Sequence, residues 1–314
     1  MKALIIDYMS DKIDNGLKDL GIEYDKEMLP SKEKLMELIP SYDMLIMRVD
    51  PFIDKDIMDA GENLKAIFVG STGTNHIDKD YAKEKGIEIY NSPGLNANAV
   101  AELVIAKILD LYRNTVQAQN EIKNEGIWNK YRWEGRELRN KTIGIIGYGA
   151  IGRRVGEIAN VFHMDVLARD PFLTEADIKE DYTKLTDLDE ILEKSDIITL
   201  HIPLTPDTKD MIGKEELEKM KDDAIIINAA RGGIVNEDAL YDALENKVIG
   251  GANFDTISNE LGAGGLDSTD THVESKLFDC DRFYITPHIG GSTKDSQDDI
   301  GDVVLGNIKK HFDL

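Results

Sequence analysis

The stretch Lys141-Thr142-Ile143-Gly144-Ile145-Ile146-Gly147-Tyr148-Gly149-Ala150-Ile151-Gly152 decides how this chain is read. An apolar run leads into G-x-G-x-x-G, and a helical segment follows. Gly147 permits a tight turn out of a strand, and Gly149 lets backbone approach a pyrophosphate. Gly152 lets the helix pack closely, so that its N-terminus faces the anion. In a chain with 26 glycines the spacing alone is a weak signal. The strand before it and the helix after it make it informative. Asp170 ends the next apolar run, 18 residues beyond Gly152. An acidic side chain there can bind both ribose hydroxyls and repels a 2′-phosphate, which favours NAD over NADP. Arg169 beside it could stack on adenine or tolerate NADP. A packed glycine-rich turn without a ligand is the bland alternative.

Outward from this motif, apolar β-rich runs alternate with amphipathic segments, the sign of βαβ units and parallel sheets in an α/β fold. Candidate strands are Ala3–Ile6, Met44–Met47, Ala66–Val69, Ile87–Tyr90, Thr142–Ile146, Asp165–Ala168, Ile197–Leu200, Ala224–Ile227, Val248–Phe254 and Phe283–Ile285. Helices are expected near Lys32–Leu38, Lys79–Lys85 and Asn98–Arg113, the last with an apolar stripe of Val100, Leu103, Val104, Ile108 and Leu111. A length of 314 residues suggests two domains. After His288 only one helix's worth of chain remains, so that helix is expected to complete the N-terminal domain. The nucleotide-binding domain is then an insertion, with crossovers near Pro93–Asn98 and Pro287–Gly291, and the cleft between the domains is the expected site of chemistry.

The composition is that of a globular protein, and no apolar run reaches the roughly 18 residues of a membrane helix. The N-terminus reads as a first strand rather than a signal peptide. The net charge of −23 argues against nucleic acid and anionic membrane partners, so an anionic ligand needs local cations and backbone N–H groups. The lone Cys280 cannot form an intrachain disulfide, which suits a reducing cytoplasm. No H-x-x-x-H, C-x-x-C or carboxylate cluster points to a metal.

Two further segments carry candidate chemistry. Thr286-Pro287-His288-Ile289-Gly290-Gly291-Ser292-Thr293 sets a histidine in a flexible turn straight after Phe283–Ile285, where a proton-transfer group would be useful. Arg231, in Asn228-Ala229-Ala230-Arg231-Gly232-Gly233, follows a continuous apolar strand and suits bidentate binding of a carboxylate. A solvated surface arginine is the alternative. Of the other histidines, His163 and His76 sit in turns, His272 in a polar loop and His311 in the terminal helix. His201 ends a strand, where it would border a cofactor.

Together these segments resemble the D-isomer-specific 2-hydroxyacid dehydrogenases, most closely the D-3-phosphoglycerate dehydrogenase branch. The resemblance covers most of the chain. It includes Gly73-Thr74 with Ile77-Asp78, Asn91–Gly94 with Ala99–Glu102, and the glycine motif ending in Asp170-Pro171. It continues through His201–Thr205, Asn228–Gly233, Asp255 and Thr286–Thr293. It implies a Rossmann NAD-binding domain, 98–289, inserted into a flavodoxin-like substrate-binding domain, 1–97 and 290–314. By the resemblance Arg231 binds the substrate carboxylate and carbonyl, His288 exchanges the proton, and Glu260, which local physics cannot single out, bonds that histidine. Gly147, Gly149, Ala150, Ile151 and Gly152 serve the pyrophosphate, and Asp170 the ribose. Thr74, Ile202, Ala229, Ala230, Asp255, Gly290 and Gly291 approach the nicotinamide side. Arg48 and the backbone of Ser71-Thr72-Gly73 cradle the carboxylate.

The implied activity is hydride transfer between NAD and a small anionic 2-hydroxy or 2-keto acid, in a homodimer with the segment from Asn98 to Trp133 at the subunit contact. The rival is an NAD(H)-binding corepressor-like module on the same fold. Val49 stands where the family often has serine, and Ser71-Thr72 where phosphoglycerate enzymes carry an arginine; both weaken the case for a phosphorylated substrate. Leu261 replaces a frequent proline, and the loop 262–273 is longer than usual. The resemblance does not extend to the C-terminal regulatory domain of some phosphoglycerate dehydrogenases.

Overall fold

The computed structural model describes residues 1–74, 76–260 and 272–314. Asn75 and the segment 261–271, including Leu261 and most of the long loop noted above, lie outside the described residues. The chain forms two compact units, one from Met1–Asn96 with Ser292–Leu314 and the other from Ala97–Glu260 with Val273–Gly291.

In the first unit β1 (Lys2–Ile5), α1 (Asp11–Asp19), β2 (Glu23–Lys26), α2 (Lys32–Leu38) and β3 (Met44–Met47) follow one another. Then come α3 (Lys55–Ala60), β4 (Ala66–Val69), α4 (Lys79–Lys85) and β5 (Glu88–Tyr90). Side-chain oxygens of Ser10, Ser31, Asp54 and Asp78 cap the four helix N-termini, satisfying amides that the helix leaves open. Among the described residues five strands form one parallel sheet in the order β2-β1-β3-β4-β5. This is the flavodoxin-like order.

The second unit opens with α5 (Ala97–Arg113) and α6 (Thr115–Glu125), then β6 (Thr142–Ile146), α7 (Ala150–Val161), β7 (Asp165–Arg169) and β8 (Thr183–Leu185). It continues with α8 (Leu188–Lys194), β9 (Ile197–Leu200), α9 (Lys214–Lys219), β10 (Ile225–Asn228), α10 (Glu237–Glu245), β11 (Gly251–Phe254) and β12 (Phe283–Ile285). The seven described strands are parallel, in the order β12-β11-β10-β9-β6-β7-β8. Counted from β6, this is the Rossmann order with one strand added at the β11 edge. The last helix, α11 (Lys294–Phe312), belongs to the first unit.

Strands buried on both faces read as unbroken apolar runs, and MLIM, AIFV and IIIN are buried at every position. In the first sheet Ala3, Ile5, Met44, Ile46 and Phe68 point to one face. There they meet Ile13 and Leu17 of α1 and Ile300, Val304 and Ile308 of α11. Leu4, Leu45, Met47, Ile67 and Val69 pack on the other face with Leu35, Ile57 and Ala82. In the second sheet Ile143, Ile145, Ile197, Ile225 and Ile227 face α5 and α7. Ile146, Ile198, Leu200, Ile226 and Phe254 face α8, α9 and α10.

The differences from the sequence reading sit at sheet edges and one turn. β2 (EYDK) and β8 (TKL) are edge strands; without two buried faces they carry no apolar run. The strand expected from Val248 starts only at Gly251. Val248 N–H bonds Ala243 O at 2.8 Å, continuing the turn out of α10, and Gly250 N–H bonds Ala224 O at 2.7 Å. No helix among the described residues is long and apolar enough to cross a membrane.

Ile308 is fully buried on the first sheet, so Ile308→Ala should lower stability by about 2–5 kcal/mol in urea unfolding. A loss below about 0.5 kcal/mol, the size of a surface substitution, would show that α11 is not part of this core.

Candidate active site

Parallel sheets bring ligands to the carboxyl ends of their strands, and in the second unit six such ends, those of β6, β7, β9, β10, β11 and β12, carry the candidate residues. At the end of β6, Gly147 has φ +92°, and a Cβ there would lie 2.5 Å from the His201 carbonyl oxygen. A Cβ on Gly152 would lie 2.2 Å from Gly147 O, so α7 packs directly on the turn. Gly149 caps α7 and would meet nothing within 4 Å, and Ala150 beside it is exposed. The glycines thus leave an open cradle at the N-terminus of a twelve-residue helix, as a pyrophosphate requires. Ile151 is half-buried behind it, as is Ile202 after β9.

Asp170 ends β7. Its Oδ2 accepts from Tyr148 N–H and its Oδ1 from Phe172 N–H, each at 3.0 Å. The carboxylate therefore also anchors the glycine turn, a task the sequence did not announce. Each oxygen keeps a further lone pair for a ribose hydroxyl. His201 donates its backbone N–H to Ile146 O at 2.7 Å, and its Nε2 lies 3.0 Å from Thr199 Oγ1. Burial pushes this imidazole down to about 3, so it stays neutral and holds the β9 end rather than exchanging protons.

Beyond β10 the buried Asn228 side chain shapes the next loop. Its Oδ1 accepts from Ala230 N–H at 3.0 Å, and its Nδ2 donates to Arg231 O at 2.9 Å. Ala229 is half-buried and Ala230 buried, whereas Arg231 is exposed, with Nη1 donating to Ala230 O at 2.6 Å. A Cβ on Gly232 would lie 2.2 Å from the Ile257 carbonyl, so the Arg231 loop packs backbone to backbone on the loop that carries Glu260. Glu237 of α10 holds that second loop, its Oε1 accepting from Ser258 N–H at 2.7 Å and Ser258 Oγ at 2.6 Å.

Glu260 Oε2 lies 3.3 Å from His288 Nδ1, with side chains 21% and 48% exposed respectively. The distal pair in the sequence thus meets in space, leaving Nε2 of the imidazole for a substrate. His288 adopts φ +51°, sparsely populated for a residue with a Cβ. The turn is held from below by Asp255. Its Oδ1 accepts from Ile289 N–H at 3.0 Å and from Thr286 Oγ1, and its Oδ2 accepts from Gly290 N–H at 2.7 Å. Its backbone carbonyl accepts from His288 N–H at 2.8 Å.

Asp255 and Gly290 were expected beside the nicotinamide. Asp255 is 1% exposed, and Gly290 is buried with its N–H given to that carboxylate; together they anchor the turn. Sequence reasoning missed this, along with the supporting roles of Asn228 and Glu237. The available signal was a carboxylate ending a fully buried strand.

In the first unit Arg48 follows β3, and its Nη2 donates to Ser292 Oγ at 3.0 Å. The buried Asp7 Oδ2 accepts from Arg48 N–H at 3.0 Å and from Val49 N–H at 2.7 Å. Ser71, Thr72, Gly73 and Thr74 follow β4. Ser71 Oγ donates to Gly73 O at 2.7 Å, and Asn91 Nδ2 to Thr72 O at 2.8 Å. Thr74 O accepts from Ile77 N–H at 3.2 Å.

Comparison with known proteins agrees with this architecture. The family model for the NAD binding domain of D-isomer specific 2-hydroxyacid dehydrogenases matches residues 105–290. Hydroxypyruvate reductase of Thermotoga maritima is 38% identical over 90% of this chain and 89% of its own. D-3-phosphoglycerate dehydrogenase of Archaeoglobus fulgidus is 35% identical over 98% of this chain, which spans 56% of that longer enzyme. Among solved structures, D-lactate dehydrogenase from Aquifex aeolicus, complexed with NAD and lactic acid, superposes with a TM-score of 0.84. It shares 28% identity and covers 99% of this chain and 95% of its own. The chain belongs to the D-isomer specific 2-hydroxyacid dehydrogenase family, NAD-dependent oxidoreductases acting on a CH–OH group.

If Asp170 holds the ribose, Asp170→Ala should narrow the preference for NAD over NADP by about 10- to 100-fold, as losing charge-assisted hydrogen bonds would. Steady-state kinetics with the two cofactors measures it. Unchanged selectivity would remove Asp170 from that role.

Proposed function

We propose that this chain interconverts a small, unphosphorylated D-2-hydroxy acid and its 2-keto acid with NAD, and that Arg231, Glu260 and His288 carry the chemistry. The observation that carries this reading is the His288–Glu260 pair at 3.3 Å, on the same sheet end as the glycine turn and the Arg231 loop. NAD bound along that turn supplies the acceptor or donor of the substrate hydride. Gly147, Gly149, Ala150, Ile151 and Gly152 would hold its pyrophosphate and Asp170 its ribose. Ile202, Ala229, Ala230 and Gly291 would border the nicotinamide.

In oxidation, His288 Nε2 takes the hydroxyl proton, and Glu260 at Nδ1 stabilises the imidazolium that forms. In reduction the same nitrogen returns it. The Arg231 guanidinium binds the carboxylate and offsets the charge developing on the substrate oxygen. By the family resemblance, Arg48 and the Ser71-Thr72-Gly73 backbone would also serve an anionic substrate. Against a net charge of −23 these are the local cations an anionic substrate needs. Ser71-Thr72, in place of an arginine, favours an acid without phosphate, such as glycerate paired with hydroxypyruvate, or lactate with pyruvate.

The working form is a homodimer in the cytoplasm. Trp128 is 84% and Tyr131 82% exposed on one short segment, which calls for a partner surface. That segment is tied to α6 by Trp133 Nε1 donating to the buried Glu121 Oε2 at 2.6 Å. The single, buried Cys280 suits a reducing compartment.

Purified protein should oxidise NADH with glyoxylate, pyruvate or hydroxypyruvate. His288→Ala should lower kcat by at least about 10²-fold, the low end of general acid–base catalysis, while NADH affinity stays within about threefold. Tight NADH binding without turnover across a panel that includes 3-phosphoglycerate with NAD would favour a corepressor-like binding module. Trp128→Glu combined with Tyr131→Glu should convert the dimer to monomer in sedimentation; an unaltered mass would move the subunit contact elsewhere.

A further inference from the structure

Lys107 lies on the apolar face of α5, in line with Val100, Val104 and Leu111, where the helical stripe would take an aliphatic side chain. It is 2% exposed and, among the described residues, the sole buried lysine or arginine. An ammonium in such surroundings persists only with partners. Its Nζ donates to Asn253 Oδ1 at 2.9 Å and to Phe254 O at 2.7 Å, and Asn253 Nδ2 donates back to Lys107 O at 3.2 Å. Phe254 O also accepts from Thr286 N–H at 3.0 Å. The ammonium therefore grips the last two residues of β11, directly before Asp255. The Asp255 carboxylate accepts from Thr286, Ile289 and Gly290, all uncharged donors. Helix and turn also touch: a Cβ on Gly290 would lie 3.4 Å from Val100 and 3.7 Å from Leu103, both on α5.

We propose that Lys107 is a positioning residue for the proton-transfer histidine: its ammonium offsets the buried Asp255 charge and clamps the end of β11, so that Asp255 can hold the His288 turn. The inference rests on the assignment of His288 made above. The charged groups facing Lys107 are Asp255 beyond β11 and Asp110 on α5 itself. The strands IIIN and GANF that α5 covers carry none. On α7, Arg153 pairs with Glu180, and Arg154 with Asn98 and Glu157. On α6, Glu121 pairs with Arg132. Burial pushes Lys107 down to about 8, opposed by Asp255 and then Asp110. The side chain is thus charged at neutrality and loses its proton within the working range of an enzyme. Above that point Asp255 has no cation, and the turn should loosen.

The test is kcat against pH for oxidation of D-glycerate by NAD, or of whichever D-2-hydroxy acid the substrate panel shows to be fastest. In this direction His288 accepts the substrate proton, so raising the pH does not remove the form the step needs. Wild type is expected to fall above pH about 8. Lys107→Met, which fills the same volume, should lose about 10- to 100-fold in kcat at neutral pH, show no alkaline fall, and bind NADH within about threefold of wild type.

Lys107→Met combined with Asp255→Asn should lose no more than the worse single variant, because the two act as one unit. Lys107→Arg, charged throughout, should abolish the alkaline fall even if Lys107→Met does not fold. A wild-type profile flat through the alkaline range, an alkaline fall retained in either variant, or losses that multiply in the double variant would each overturn the proposal. Failure of the parent assignment looks different: His288→Ala would then keep its turnover whatever Lys107 does.

Discussion

A buried carboxylate sets the terms for this protein's chemistry. Asp255 directly follows a strand enclosed on both faces, and its two oxygens accept the N–H groups of Ile289 and Gly290 and the hydroxyl of Thr286. A carboxylate left dry and unpaired would cost several kcal/mol. With these donors it becomes the fixed point of a turn that otherwise has little to hold it, since His288 and Ile289 are exposed. The left-handed φ of His288 is affordable only because both sides of the residue are tied to the same strand end. Chemistry at an exposed imidazole can then be reproducible in geometry.

The same principle recurs around the sheet. Asp170 fixes the glycine turn, Asn228 the Arg231 loop, Glu237 the Glu260 loop, and Asp7 the Arg48 loop of the other unit. Each is a polar side chain capturing backbone N–H groups of a loop that leaves a strand, three of them at or just past a strand end and Glu237 from the first turn of α10. This local use of acidic residues accounts for a small part of the net charge of −23. The rest lies on solvated surface, where ion pairs such as Lys12–Asp302 contribute little to stability. In the proposed reading, an anionic substrate would be met by a few placed cations and not by the field of the whole molecule.

Much of the fold was legible because burial on both faces writes itself as apolar runs: MLIM, AIFV, TIGII and IITL have the expected bounds. The edge strands EYDK and TKL did not, since one open edge removes the pressure for apolar residues. The glycine motif was readable because each glycine answers a separate steric demand. Glu260 was not, in a chain with 60 acidic residues, except through resemblance. The anchoring of the His288 turn was hidden for a different reason. Asp255 and Lys107 are joined to it by contacts across a helix and two strands, and no local spacing encodes such a contact. Lys107 left one trace, a basic residue interrupting an apolar stripe.

Amide hydrogen exchange at Ile289 and Gly290 tests the central claim most directly, because it reads the bonds from Asp255 without relying on turnover. Both amides sit in a turn whose His288 and Ile289 are exposed. The account predicts exchange slowed by at least about 100-fold relative to an unstructured peptide, as about 3 kcal/mol of local protection requires, and loss of that protection in Asp255→Asn. Exchange at the rate of a free loop in the wild-type protein, or protection unchanged in Asp255→Asn, would contradict it.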